Sequence, residues 1–180
     1  MNNTPFFYKT EHLTVRSPID GDAPAIARAR STDFVMRYNL YRPCSAEDIE
    51  RELECYEHFV LLGNETGDII GCVSVRDDDF RYHIDSVALH AWLTEENAHK
   101  GYMKEALDVI IDQLFSVRLH ERIAIQILSP NRASIRLAEK LGFEREGYLK
   151  RALKNADGEV YDVVLYSLDR DAYLIKKQGA

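Results

Sequence analysis

The sequence predicts a mixed α/β fold, in which a mostly antiparallel sheet is flanked by helices. Segments with strand-like and helix-like periodicity alternate along the chain. An apolar strand, a helix and a second apolar strand follow one another between residues 84 and 128, which is the order of a parallel crossover. No repeat, linker or change in composition interrupts the 180 residues, so we expect a single domain spanning residues 1–180.

The predicted elements alternate in a simple order, which is a strand, two helices, three strands, a helix, a strand, a helix and two strands. Their expected ranges are 13–16, 20 or 22 to 30, 45–58, 59–63, 69–75, 84–93, 103–117, 123–128, 134–141, 143–153 and 160–168. The last two strands are joined by Asn-Ala-Asp-Gly, which is typical of a hairpin turn.

The helix predictions depend on capping residues and on apolar spacing. Asp20 or Asp22 can cap the first helix. Ser45 opens a sequence that resembles a capping box, with Asp in place of the usual Glu. Apolar residues recur at helical spacing after Met103. Gly142 follows the last periodic residue of its segment, as expected where a helix ends.

The strand predictions depend on short apolar runs bounded by turn residues. Residues 59–63 and 69–75 flank Asn-Glu-Thr-Gly-Asp, which indicates a hairpin. Residues 123–128 form a continuous apolar run, as in a strand buried on both faces. The acidic run 77–79 is expected to be a solvated turn, and residues 176–180 are expected to be frayed.

The composition is that of an ordinary globular protein. Hydrophobic residues make up 46% and charged residues 29%, which excludes a disordered chain. No apolar run is long enough to span a bilayer and no signal peptide is visible, so we expect a cytoplasmic protein with no membrane partner. The net charge of −7 argues against a nucleic-acid partner and is compatible with a cationic substrate. The three cysteines lack metal-ligand spacing and are expected to be reduced thiols.

Two motifs carry the functional prediction. Residues 98–107 read Ala-His-Lys-Gly-Tyr-Met-Lys-Glu-Ala-Leu and follow an apolar strand. They predict a turn that opens a helix, where unpaired N–H groups and the positive end of the helix dipole suit a phosphate. Residues 131–143 read Asn-Arg-Ala-Ser-Ile-Arg-Leu-Ala-Glu-Lys-Leu-Gly-Phe and predict an amphipathic helix with a polar start. Together they indicate a phosphorylated cofactor.

With these motifs the chain resembles the GCN5-related N-acetyltransferase (GNAT) superfamily, and within it the RimJ/RimL-type enzymes that acetylate ribosomal-protein N-termini. The strings Lys-Gly-Tyr-Met-x-Glu-Ala-Leu and Asn-x-x-Ser…Glu-Lys-Leu-Gly-Phe carry the resemblance, which extends from residue 13 to about 173. It implies the GNAT acyl-CoA acyltransferase fold, with a central, splayed sheet. It also implies transfer of an acetyl group from acetyl-CoA to a primary amine by direct attack, with no metal.

The resemblance further implies which residues would hold acetyl-CoA. The pantetheine arm would pair with the end of the strand at Trp92 and Leu93, beside residues 127–129, and Asn131 would form a hydrogen bond with it. The pyrophosphate would lie on the backbone N–H groups of His99, Lys100, Gly101, Tyr102 and Met103.

The turn departs from the family's usual Gln/Arg-x-x-Gly-x-Gly/Ala pattern. Ala98 and Met103 occupy the outer positions, and His99 stands where glycine is frequent, so only the central Gly101 is kept. The backbone can still surround a phosphate if the geometry of the turn is retained.

The acid and base of the reaction are also altered. Ser134 would lie near the sulfur and protonate the leaving thiolate. The tyrosine that many relatives use as the acid is Ala138 here, and the glutamate that many use as the base is Ala88. Asp85 and His90 are both candidates for the base, and the sequence does not choose between them.

The acceptor is expected to be a protein N-terminus or a small cationic amine, such as a polyamine or an aminoglycoside. Candidates for binding it are Tyr38 and Tyr41, in the aromatic-rich segment 32–43 that we expect to be irregular, and Asp162 and Tyr166, which share one face of the last strand.

The missing acid and base leave an alternative function, an acyl-CoA-binding sensor or scaffold with little or no turnover. The protein is expected to be a monomer or a homodimer.

Overall fold

The computed structural model describes residues 5–40, 42–81, 83–155 and 158–179. A short 3₁₀ turn at Glu95–Asn97 and a π-helical turn at Gln113–Val117 flank the fourth helix. In chain order the strands and helices are β1 (Phe7–Lys9), β2 (Leu13–Arg16), α1 (Ala23–Arg30), α2 (Asp33–Asn39), α3 (Ala46–Cys55), β3 (Glu57–Gly63), β4 (Ile69–Asp77), β5 (Ser86–Leu93), α4 (Tyr102–Asp112), β6 (Arg122–Leu128), α5 (Arg132–Leu141), β7 (Glu144–Lys154), β8 (Val160–Asp169) and α6 (Arg170–Gln178).

The strands form one eight-stranded sheet in the order β1-β2-β3-β4-β5-β6-β8-β7. The pairs β1–β2, β2–β3, β3–β4, β6–β8 and β7–β8 are antiparallel, while β5 and β6 are parallel. Because α4 connects β5 to β6, it is the crossover helix that a parallel pair requires. The mixed α/β fold class predicted from the sequence is confirmed.

The parallel pair is short. It contains three residue pairs, of which the last joins Ala88 to Ala124. Both strands continue beyond this point, and β6 remains paired with β8 as far as Leu128 and Val163. Beyond Ala88, the edge of β5 therefore has no partner from β6 among the described residues.

The contacts of the chain fall into two compact units. The first comprises residues 1–75 and 91–110, and the second comprises residues 76–90 and 111–180. The first unit contains β1 to β3 and α1 to α3, and the second contains β6 to β8, α5 and α6. The prediction of a single domain remains a prediction.

The core of the first unit lies under α1 and α3. Apolar side chains from both helices pack on those of β3, β4 and β5, and the central ones are Ile26, Ala27, Ile49, Val60, Cys72 and Trp92. Ser45 and Asp48 form the predicted capping box at the start of α3. The strands β4 and β5 approach closely at Gly71, where a Cβ atom would lie 2.5 Å from the carbonyl oxygen of Trp92. A residue with a side chain therefore does not fit at this position.

The start of α1 is stabilised by an ion pair rather than by a cap. Asp22 occupies the N-cap position, but its side chain makes no capping hydrogen bond. Its carboxylate instead accepts two hydrogen bonds from the Arg16 guanidinium, at 2.7 and 2.8 Å, and one from the Ile19 N–H. Burial tends to raise the pKa of Asp22, but these bonds outweigh it, so the pKa lies below its ordinary value. Asp22 therefore occupies the predicted N-cap position, but the prediction that its side chain caps the helix was wrong.

The core of the second unit is formed by the π-helical turn that follows α4 and by the strands β6 and β8. Phe115, Ile123 and Val163 are almost completely buried. Gly142 adopts the left-handed conformation, with φ of 95°, and ends α5 as predicted. None of the described helices is long and apolar enough to cross a membrane.

Several sequence-based boundaries were wrong. Segment 32–43 contains the helix α2, whose short length and aromatic residues concealed it. The helix α3 ends at Cys55 instead of residue 58, because Glu57–Gly63 pairs with β4. The strand β1 was not predicted, and neither was α6, which occupies part of the segment expected to be frayed.

The acidic run 77–79 leads into a turn in which Asp77 and Asp79 are exposed, as predicted, but Asp78 is not solvated. Asp78 is buried, and its carboxylate accepts hydrogen bonds from the Ser86 hydroxyl at 2.6 Å and from the Phe80 N–H at 3.1 Å. The aspartate therefore fixes the chain ahead of β5, a role that three consecutive charges do not reveal.

Replacing Asp22 with asparagine tests the ion pair below α1. The Asp22→Asn variant should lose about 2 kcal/mol of unfolding free energy at pH 7, because a buried, charge-assisted hydrogen-bond pair is lost. Since the folded-state pKa of Asp22 is lowered, the difference from wild type should shrink as the pH falls below about 4. Urea unfolding at several pH values measures this difference in unfolding free energy. Arg51→Gln, which breaks an exposed ion pair with Asp48, is the control and should cause no measurable change. Equal losses of unfolding free energy in both variants would contradict a stabilising role for the Asp22–Arg16 ion pair.

Candidate active site

The predicted phosphate turn has two residues in the left-handed conformation. His99 has φ of 61° and Gly101 has φ of 88°. The first hydrogen bond of α4 runs from the Glu105 N–H to the Gly101 carbonyl, at 3.1 Å. The amides of Tyr102, Met103 and Lys104 precede this bond and thus lack an acceptor within the helix. They lie at the positive end of the helix dipole, so the turn has the geometry of an anion site.

The conformation explains the two unusual residues of the turn. A Cβ atom at Gly101 would meet no other atom within 4 Å, so glycine is required for its φ and not for space. His99 is a non-glycine residue in a region that costs about 1–2 kcal/mol. Such strain persists when the surrounding structure imposes it, and it concentrates at functional sites.

An ion pair fixes this turn to the start of β2. The Glu105 carboxylate accepts hydrogen bonds from the His12 N–H and from its Nδ1 atom, both at 2.9 Å. The His12 ring lies 5.4 Å from the Tyr102 ring, and the Lys100 ammonium lies 5.8 Å from the same ring. The hydrogen bond to Glu105 raises the pKa of His12 above its ordinary value. The sequence motif contains Glu105, but its partner is 93 residues away, so the sequence analysis missed this contact.

The end of β5 contributes both a buried ring and backbone. Trp92 is buried in the core of the first unit, where it borders a cavity of about 10 Å³ that His58 and Glu52 also line. Its ring is therefore a packing element. Leu93 is half-buried, and the following Thr94 N–H donates to the Ile70 carbonyl at 2.8 Å.

The start of α5 has the polar character expected of it. Asn131 is the N-cap residue, and its Oδ1 atom accepts a hydrogen bond from the Ser134 N–H at 3.2 Å. The same bond holds Ser134 at the third position of the helix, where its side chain is half-buried. No described residue binds the Asn131 side-chain NH₂ group or the Ser134 hydroxyl, so both groups are available to a ligand.

A cleft of about 430 Å³ lies in the second unit, between α5 and the β7–β8 hairpin. The Tyr166 side chain forms part of its wall and donates a hydrogen bond to Glu139 at 2.9 Å. Burial, followed by the contact with Glu139, raises the pKa of Tyr166. The lining residues are Ser129, Pro130, Arg132, Ile135, Glu139, Arg145, Tyr148, Val164 and Tyr166.

Of the two residues predicted to bind the acceptor from the last strand, one lines this cleft. Tyr166 does so, while Asp162 is not among the lining residues. The Asp162 carboxylate accepts hydrogen bonds from the Arg151 N–H and from the Tyr148 hydroxyl, both at 2.7 Å. These contacts lower the pKa of Asp162, the backbone bond most strongly. The structure thus gives Asp162 a role in shaping the hairpin.

The sequence analysis missed the charged and aromatic residues of the cleft. Arg132, Glu139, Arg145 and Tyr148 are exposed. In sequence they are indistinguishable from the solvated faces of an ordinary helix and hairpin, and only the packing of α5 against β8 brings them together. No sequence signal available for a single chain could have identified them.

The remaining predicted residues lie in different places. Tyr38 is on α2 in the first unit and is 37% exposed, so it remains accessible. Tyr41 lies outside the described residues. His90 is half-buried on β5.

Asp85 precedes β5, at the end of the strand opposite to Trp92. Its carboxylate accepts a hydrogen bond from His120 Nδ1 at 2.7 Å, and its carbonyl accepts one from the Glu121 N–H. These contacts favour a structural role for Asp85. Among the described residues, no group of three or more histidine, cysteine or acidic side chains is arranged to hold a metal ion.

The comparison with protein families decides the identity of the fold. A model described as an acetyltransferase (GNAT) domain matches residues 12–144. The chain belongs to the GNAT acetyltransferase family. The resemblance found in residues 98–107 and 131–143 is thereby confirmed, and acetyl-CoA is the cosubstrate that this family uses.

Relatives of this GNAT protein are themselves named as N-acetyltransferases. YoaA of Bacillus subtilis, named as an uncharacterized N-acetyltransferase, is 28% identical over 172 residues, which cover 89% of this chain and 94% of YoaA. The prophage-derived N-acetyltransferase YokL of the same organism is 26% identical over 172 residues, covering 93% and 95%. The protein is accordingly an acyl-CoA-dependent acyltransferase.

Solved structures share the fold over nearly the whole chain. A ribosomal-protein-S5-alanine acetyltransferase from Vibrio fischeri superposes with a TM-score of 0.83 at 25% identity, covering 93% of this chain and 98% of that one. A spermidine N-acetyltransferase from Vibrio cholerae, in complex with CoA and spermine, gives a TM-score of 0.80 at 22% identity, covering 92% and 99%. At that identity the second likeness concerns the fold alone.

The pairing of His12 with Glu105 predicts a measurable pH dependence in the turn. Because the pKa of His12 is raised, the pair stabilises the folded state fully below about pH 6.5, as long as Glu105 stays ionised, and weakens as the pH rises through the folded-state pKa of His12. A nuclear magnetic resonance titration of the histidine Cε1 protons should show His12 titrating above that value. In Glu105→Gln it should return to an ordinary pKa, while His120, which contacts Asp85, should not move. A His12 pKa that is the same in both proteins would contradict the contact.

Proposed function

We propose that this GNAT enzyme acetylates a primary amine, either a protein N-terminus or a small cationic amine, by direct attack of the amine on acetyl-CoA. The observation that carries the proposal is the left-handed turn at His99 and Gly101, which opens α4 with three free amides. A pyrophosphate is the anion that such a turn suits in a CoA-dependent enzyme. The turn has kept this geometry although its sequence departs from the usual family pattern.

In this proposal, the backbone at the end of β5 and the Asn131 side chain also help to position acetyl-CoA. Among the described residues, the backbone of β5 beyond Ala88 has no partner from β6, so Trp92 and Leu93 can pair with the pantetheine arm in the manner of a strand. The Asn131 NH₂ group can donate a hydrogen bond to the same arm, because its carbonyl oxygen is already used as the helix cap.

The proposed chemistry needs little more than positioning and one proton transfer. The amine nitrogen forms a bond to the acetyl carbon, the carbon–sulfur bond breaks, the nitrogen loses a proton and the thiolate gains one. Ser134 is proposed to supply the proton to the thiolate, since its hydroxyl has no partner among the described residues. His90 remains the candidate for the base. Most of the rate enhancement would come from holding the two reactants in the correct geometry.

The names of two structural relatives support an amine as the acceptor. One is named for the alanine of ribosomal protein S5 and the other for spermidine. These represent the two acceptor classes expected from the sequence, and both present a primary amine. We therefore propose that the acceptor of this chain is also a primary amine and that the chain is an enzyme of the RimJ/RimL type. We also propose a cytoplasmic location, a monomer or homodimer, and no nucleic-acid or membrane partner.

One observation favours a second candidate function. Ala88 and Ala138 are 3% and 2% exposed, at the positions where many relatives place the base and the acid. As alanines, neither residue offers a polar group to a ligand. A protein that binds acyl-CoA as a sensor or scaffold, with little turnover, would show this pattern.

Calorimetric titration with acetyl-CoA tests the phosphate turn. Wild type should bind at micromolar concentration, and Gly101→Asp should lose at least tenfold in affinity, because it adds strain and a negative charge beside the pyrophosphate. Gly101→Ala adds strain without charge and should lose less. Gly67→Asp is the matched control, since Gly67 also has positive φ, of 74°, and open space around it, but lies in the β3–β4 hairpin. Absence of binding to wild type would overturn the proposal.

Turnover by Ser134→Ala separates the enzyme from the sensor. The variant should bind acetyl-CoA within about twofold of wild type, because the Ser134 amide and the helix cap are retained. Its kcat should fall by about 10²-fold, as expected when a general acid is removed. The rate of CoA release with an amine acceptor measures this. No turnover by wild type, despite tight binding of acetyl-CoA, would favour the sensor.

A further inference from the structure

Two arginines that have no carboxylate partner among the described residues line the cleft of the second unit. Arg132 begins α5 and Arg145 lies near the start of β7. No ion pair involves either of them among the described residues, whereas Arg81 and Arg122 of the same unit both bind Glu146. The cleft therefore offers two guanidinium groups from two different walls, and no ion pair with the described part of the chain neutralises either charge.

The aromatic wall orients one of these charges. The guanidinium carbon of Arg145 lies 5.6 Å from the Tyr148 ring, within the range of a cation–π contact. The Tyr148 hydroxyl is bound to Asp162, so the ring of Tyr148 is held in place from its outer end. Arg145 is thus supported on a fixed surface and leaves its N–H groups to the cleft.

The cleft also contains one carboxylate, which can recognise a cation. Glu139 accepts a hydrogen bond from the Tyr166 hydroxyl at 2.9 Å, and Tyr166 is only 3% exposed. A carboxylate has about four acceptor sites, so this bond leaves Glu139 able to accept hydrogen bonds from an ammonium group. The buried tyrosine fixes the position of the acid without neutralising it.

From this arrangement we infer that the acceptor is a small zwitterion, an amine that carries a carboxylate, of which an α-amino acid is the simplest example. The inference rests on the proposed acetylation of a primary amine, and it assigns the acceptor to a class that is neither a protein N-terminus nor a polyamine. Arg132 and Arg145 would bind the carboxylate, since guanidinium groups form paired hydrogen bonds with it. Glu139 would bind the amine before the amine loses its proton. The volume of about 430 Å³ is in the range of small-molecule sites.

The charge balance disfavours a polyamine in this cleft. The lining residues include two arginines and one glutamate, so they carry a formal charge of +2 − 1 = +1, in a chain whose net charge is −7. A polycation would meet two unneutralised guanidinium groups. A zwitterion matches both signs.

Matched pairs of acceptors test the inference. Wild type is assayed for release of CoA with a panel of L-amino acids and with the amine that each would give on decarboxylation, such as leucine and isoamylamine. Spermidine and a short peptide are included. At least one amino acid should be acetylated with a kcat/KM that is tenfold or more above that of its decarboxylated counterpart. An equal or better rate with the decarboxylated amine, spermidine or the peptide would overturn the inference.

Two arginine variants connect this preference to the cleft. Arg132→Ala and Arg145→Ala should each lower kcat/KM for the amino acid by tenfold or more, mainly through KM, and should change the rate with the decarboxylated amine by less than threefold. Arg136→Ala is the matched control, because Arg136 is exposed on α5 but does not line the cleft. It should behave as wild type with both acceptors.

Calorimetry with acetyl-CoA distinguishes the ways in which the inference can fail. If both arginine variants weaken acetyl-CoA binding and slow all acceptors equally, the cleft belongs to the cosubstrate. The inference is then overturned, while the proposed function stands. If wild type binds no acetyl-CoA and acetylates no amine, the proposed function fails and the inference fails with it.

Discussion

The unpaired end of the parallel strands is the constraint on which the rest of the structure depends. Pairing between β5 and β6 ends at Ala88 and Ala124, although both strands continue. Backbone N–H and C=O groups that are removed from water need partners, so the stretch of β5 that β6 leaves unpaired would supply main-chain hydrogen bonds to the proposed cosubstrate. Because this capacity belongs to the backbone, it is compatible with large changes in the side chains around it.

The first turn of α4 follows the same logic. The anion site proposed there would consist of main-chain amides, whose positions are set by the backbone conformation, with His99 and Gly101 both left-handed. The Glu105–His12 pair and the Tyr102 ring attach this turn to β2. In the proposed site, the side chains that differ from the usual family pattern are not the groups that would contact the anion, which is consistent with family membership at 28% identity or less to the relatives.

Sequence reasoning succeeded where local signals and backbone geometry determine the structure. The capping box at Ser45, the stop at Gly142 and the turn at Gly101 each depend on a few adjacent residues. It failed where distant residues decide. Asp78 is buried because Ser86 approaches it, and Asp22 binds Arg16 instead of capping its helix. The cleft of the second unit shows the same limit, because its charges are recognisable only after α5 has packed on the hairpin.

The close approach of β4 and β5 restricts which substitutions this sequence can accept during evolution. At Gly71 a methyl group would stand 2.5 Å from the carbonyl oxygen of Trp92, so any other residue must push the strands apart. The adjacent Ile70 and Cys72 are buried apolar side chains, for which substitutions of similar volume are tolerated. Selection on divergent copies of this gene should therefore leave one invariant glycine between two variable neighbours. Its invariance would mark the spacing of two strands rather than contact with any ligand.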